Sequence, residues 1–99
     1  MAKKLKTRPF DAAAYLTTAE AVSAYLEEAF ASADPKFIAR AIGTVARARG
    51  MAQIARKARL SRESLYKALS GEGNPEFATM LRVLGALGLR FSITDASAR

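Results

Sequence analysis
Apolar positions recur with a period near 3.6 through most of this chain, which predicts a helical protein. Val22, Tyr25, Leu26, Ala29 and Phe30 follow the i, i+3, i+4, i+7, i+8 spacing of a one-faced helix. Thr17-Thr18-Ala19-Glu20 reads as the capping box that opens it, with Thr17 and Glu20 satisfying free amides. Asp34-Pro35 opens a second helix, whose stripe is Phe37, Ile38, Ala41, Ile42 and Val45 and whose stop is Gly50. Arg47 and Arg49 lie at its negative end, where cations are favourable. A short helix is expected from Met51 to Ala58, and another from Arg62 to Leu69 with Ser61 as its cap. Ser70 to Pro75 is a cluster of turn formers and reads as a loop. A last helix is expected over Glu76 to Leu87, with Phe77, Met80, Leu81, Leu84 and Leu87 inward and Gly88 as its stop. Beyond it, Leu89, Phe91 and Ile93 alternate with Arg90, Ser92 and Thr94, which predicts a short strand at 89–94. A lone strand needs a partner: the N-terminal arm, a second copy or another protein.

Charge changes the picture. The 99 residues carry 16 Lys and Arg against 9 Asp and Glu, a net charge of +7, and this directs attention to an anionic partner. The signs are segregated along the chain. Lys3, Lys4, Lys6 and Arg8 precede a stretch, residues 11–34, with Asp11, Glu20, Glu27, Glu28 and Asp34 and no base. Residues 36–67 then hold Lys36, Arg40, Arg47, Arg49, Arg56, Lys57, Arg59, Arg62 and Lys67 against Glu63 alone. Separation of this kind points to two different partners. Cysteine and histidine are absent. That excludes disulfides, thiolate nucleophiles, imidazole bases and the commonest zinc ligands together. No apolar run approaches the roughly 20 residues of a membrane span, and no apolar stretch follows the basic start, so a soluble, cytoplasmic protein is expected. Gly71 to Pro75 lacks the lysine and hydroxyl residue of a phosphate loop, so it is a turn. Neither catalysis nor a cofactor is expected.

The informative chemistry lies in the run from Ile54 to Leu69. Two helices crossing at a tight turn need a small residue at the contact, which Ala55 supplies, and apolar anchors, which Ile54, Leu60, Leu65 and Leu69 supply. The turn needs one left-handed residue; Arg59 stands there instead of the usual glycine, at a cost of about 1 kcal/mol. In a helix-turn-helix the second helix enters the major groove by its N-terminal end. Arg62 and Lys67 are the candidates for reading guanine edges, and Glu63 for accepting from cytosine or orienting Arg62. Ser64 and Tyr66 would touch phosphates, and Arg56, Lys57 and Arg59 would supply salt-dependent backbone affinity. The competing reading is an ordinary helix pair whose charges are a solvated face.

Ile54-Ala55, Leu60-Ser61-Arg62, Gly71, Asn74-Pro75, Leu84 and Ala86-Leu87-Gly88 together resemble the Xre/Cro-type repressor domain. A wider set is similar, in order, to the addiction-module antidote proteins. It comprises Phe10-Asp11, Tyr15-Leu16, the run 24–29, Asp34-Pro35, the run 48–51, the run 60–70 and Gly73-Asn74-Pro75. The resemblance implies an all-α, five-helix Cro/repressor-like helix-turn-helix domain with a mobile N-terminal arm and a short C-terminal strand. Residues 1–99 would form a single domain: arm 1–16, two amphipathic helices 17–49, helix-turn-helix and closing helix 51–88, strand 89–94. It further implies an antitoxin that neutralises a RelE-like ribonuclease toxin encoded in the same operon and represses that operon on double-stranded operator DNA. A toxin that binds RNA should be basic, so Asp11, Glu20, Glu27 and Glu28 are the candidate toxin contacts. On that reading a fragment starting at Ala33 would bind DNA yet fail to neutralise the toxin. A homodimer is expected, built from the last helix and the 89–94 segment. The alternatives are a stand-alone Xre/Cro-type repressor without a toxin and a purely structural adaptor.

Overall fold
In a computed structural model of the chain, which describes residues 15–97, five helices follow one another: α1 Ala19–Ala31, α2 Pro35–Arg49, α3 Met51–Ala58, α4 Arg62–Ala68 and α5 Phe77–Ala86. The expectations for Asp11 and for most of the N-terminal arm lie outside the described residues. Leu16, assigned to the arm, is instead buried in the core.

Local chemistry sets most helix ends. The α1 cap is Thr18 rather than Thr17: its hydroxyl accepts from the Ala21 amide at 3.0 Å, so the expected Thr17–Glu20 box does not form. Adjacent threonines offer the same hydroxyl, and the register of the buried stripe selects the second. Asp34 caps α2 as expected, its Oδ1 accepting from the Lys36 amide at 3.1 Å, with Pro35 in the first turn. Gly50, at φ 107°, both ends α2 and starts α3, a backbone conformation that a side chain would strain.

The core joins all five helices. Val22, Ile42, Val45, Ile54, Leu65 and Val83 are its largest fully buried side chains. Helix α3 lies at the centre, packed against α2, α4 and α5, while α1 packs on α2. The stripes of α1 and α2 fall largely as the spacing predicts, except that Phe37 is exposed. In α5 the inward face is rotated: Val83, Leu84 and Leu87 are buried and Met80 is half-buried, whereas Phe77 and Leu81 face out. Turning the helix to seat Val83 carries Phe77 and Leu81 round to solvent.

No strand occurs among the described residues, so the expected strand at 89–94 is overturned. The Leu89 amide donates back to the Leu84 carbonyl at 2.9 Å, which closes α5. Phe91 then packs edge-on to Phe30, with centroids 5.6 Å apart, and stacks on Phe77 at 5.8 Å. Leu89 packs on the core and Phe91 reaches two aromatic rings at helix ends, while Ile93 is left exposed, so the alternating residues share no common face and form no ladder.

Candidate nucleic-acid interface
The run 54–69 folds as two short helices around a three-residue turn. At its end α3 is stopped by Arg59, at φ 62° and ψ 45°, in the left-handed region that the sequence assigns to it. The Arg59 and Leu60 amides donate to the Arg56 and Ala55 carbonyls at 3.2 and 2.9 Å, so the last turn of α3 is closed. Half-buried Leu60 anchors the turn. Ser61 then starts α4, its Oγ accepting from the Ser64 amide at 2.9 Å and donating to the Ser64 hydroxyl at 2.9 Å. Ala55 and Ala58 are buried beside Ile54, so the small side chains lie inside the packed cluster.

Burial of Leu65, Ala68 and Leu69 fixes which way α4 faces. With 100° per residue, Glu63 and Lys67 lie at the middle of the outward face, flanked by Arg62, Ser64 and Tyr66. All five are exposed. The side chains of Arg62, Glu63, Tyr66 and Lys67 make no hydrogen bond or ion pair among the described residues, so Glu63 does not hold Arg62 in place here. The arrangement is therefore an ordered, N-capped helix end carrying donors and an acceptor that nothing else in the described residues engages. Arg56, Lys57 and Arg59 are also exposed, at the end of α3 and in the turn.

Sequence reasoning missed one basic residue of this region. The Arg82 Nε–H of α5 donates to the Ala58 carbonyl at 3.0 Å, which carries its guanidinium to the end of α3. The contact spans 24 residues, and no local pattern announces it.

Acidic side chains gather elsewhere. On α1, Glu20 and Glu27 lie within about 20° of one another around the helix axis and Glu28 about 100° further on, all opposite the buried Val22, Leu26 and Ala29. All three carboxylates are exposed. Asp34 is spent on capping α2. None of the helices among the described residues is long and apolar enough to cross a membrane, and no group of acidic residues there could hold a metal ion.

Residues 6–95 match the family model described as "Probable addiction module antidote protein". The chain is also similar to an uncharacterized protein of Haemophilus influenzae, 50% identical over 96 residues, with 97% of each chain covered. No solved structure matches the chain significantly. An almost full-length family match and a half-identical relative of the same length together show that the chain belongs to the family of probable addiction module antidote proteins.

Proposed function
We propose that this protein is the antitoxin of a type II toxin–antitoxin module, which neutralises a RelE-like ribonuclease toxin by direct binding and represses its own operon. The observation that carries the DNA half is the presentation of α4: its N-terminus is capped by Ser61, and Arg62 and Lys67 stand exposed with no partner among the described residues. On this reading α3 and α4 are an Xre/Cro-type helix-turn-helix, α4 lies in the major groove, and Arg62, Glu63 and Lys67 address base edges. Ser64, Tyr66, Arg56, Lys57 and Arg59 hold phosphates. Family membership supports the toxin half. The carboxylates of Glu20, Glu27 and Glu28 supply the sign needed against an RNA-binding toxin. A single reading helix contacts few bases, so the protein acts as a homodimer on a two-fold symmetric operator. It does so in the cytoplasm, without a cofactor or catalysis of its own.

Two measurements on the full chain test this. Gel shift with DNA from its own promoter should give a complex that survives competitor DNA. Co-expression with the product of the adjacent gene should rescue growth and yield a stable complex. Failure of the first removes repression, and failure of the second removes the antitoxin role.

A further inference from the structure
An open cleft lies where α2, α3 and α5 end, and its wall holds Arg49, Lys57, Arg59 and Arg82 with no acidic and no aromatic residue. Four cations around one cleft repel one another, and an anion placed among them removes that repulsion. Arg49 and Lys57 are favourable near helix C-termini, but such contacts are weak on an exposed surface and do not require four cations together. Arg82 is more informative. Its Nε is fixed on the Ala58 carbonyl, while its terminal nitrogens make no other hydrogen bond or ion pair among the described residues, which leaves a pre-oriented fork.

Gly85 gives an independent pointer. It lies in the last turn of α5, where alanine would favour the helix more. A Cβ built there meets nothing within 4 Å, so internal packing does not require a glycine. It does line the cleft. A bare helix surface facing four cations allows close approach of something from outside.

From these observations we infer that the cleft seats the sugar–phosphate backbone of duplex DNA, adding Arg49 and Arg82 to the interface. The inference rests on the DNA-binding reading of α4 and extends it. An open cleft without an aromatic platform favours backbone over base: single-strand sites add aromatic stacking to their positive charge, whereas duplex backbone is held by charge alone. Lys57 and Arg59 join the cleft to the turn that leads into α4, so the two surfaces are continuous along the chain.

Fluorescence anisotropy of the full chain with a non-specific duplex, from 0.05 to 0.2 M salt, tests it. Arg49→Gln and Gly85→Glu should each lower the slope of log affinity against log salt by about 0.9, which is about a threefold smaller loss over that range. Gly85→Ala should raise the melting temperature and weaken binding only slightly. Circular dichroism confirms that each variant is folded. Unchanged slopes in folded Arg49→Gln and Gly85→Glu, with Arg62→Ala still impaired on operator, overturn the cleft assignment and leave the α4 reading intact. Absence of any duplex binding by the wild type overturns both. Tight binding of tripolyphosphate abolished by Gly85→Glu, with duplex binding unaltered, reassigns the cleft to a free anion and overturns the duplex assignment.

Discussion

Individual side chains on α4 and its turn separate into those that would discriminate sequence and those that would add charge. Arg62 and Lys67 stand on the outward face of α4, so Arg62→Ala and Lys67→Ala should each cost about 1–3 kcal/mol on operator and relax preference at particular base pairs. Lys57→Ala should weaken all sequences alike and flatten the salt dependence. Competition binding with single-base operator variants distinguishes the two patterns, and uniform loss in all three variants would remove Arg62 and Lys67 from the groove. Arg59 makes a second, opposed prediction. Its φ of 62° is strained for a side chain, so Arg59→Gly should stabilise the fold by about 1 kcal/mol while weakening DNA binding. A thermal melt and an anisotropy titration on the same sample read both effects. A destabilised Arg59→Gly would mean that its side chain contributes packing that exceeds the strain.

At the scale of elements, Gly43 of α2 faces Leu69, the residue that ends α4. A Cβ at Gly43 would lie 3.2 Å from the Leu69 carbonyl oxygen, and Gly43→Leu should therefore destabilise by about 1–3 kcal/mol and loosen the end of α4. Chemical denaturation measures this, and an unchanged midpoint would show that the two helices separate freely. Helix α1 carries the other element-level prediction. Val22, Leu26 and Ala29 belong to the core, so a fragment beginning at Ala33 would lose packing as well as its acidic face, and charge reversal is the cleaner test. Glu20→Lys, Glu27→Lys and Glu28→Lys together should abolish rescue from the toxin and leave operator binding intact, as judged by growth and gel shift. Retained rescue would move the toxin contact off α1. The helices themselves were legible because their period, Asp34-Pro35, Gly50 and Ser61 are local signals. The outward turn of Phe77 and Leu81 was not legible, because it depends on where the neighbouring helices lie.

At the scale of the whole molecule, several large apolar side chains among the described residues stand exposed. Phe77 is 68% exposed and Ile93 is 98% exposed, and Leu81, one turn on from Phe77 in α5, is exposed too. If the protein pairs as proposed, such side chains are the expected seam. Leu81→Lys with Ile93→Lys should give a folded monomer in sedimentation at tens of micromolar and reduce operator affinity at least tenfold, about 1.4 kcal/mol. An unchanged oligomeric state would place the seam elsewhere. The sequence alone determined the five helices, the left-handed place of Arg59, the cap at Ser61 and the segregation of acidic from basic residues, since each depends on residues close together in the chain. Only the tertiary structure decided that 89–94 forms no strand, that Val83 and not Leu81 is buried, and that Arg82 joins the end of α3. A strand exists only against a partner, a helix face is chosen by its neighbours, and a contact across 24 residues is set by how the helices pack.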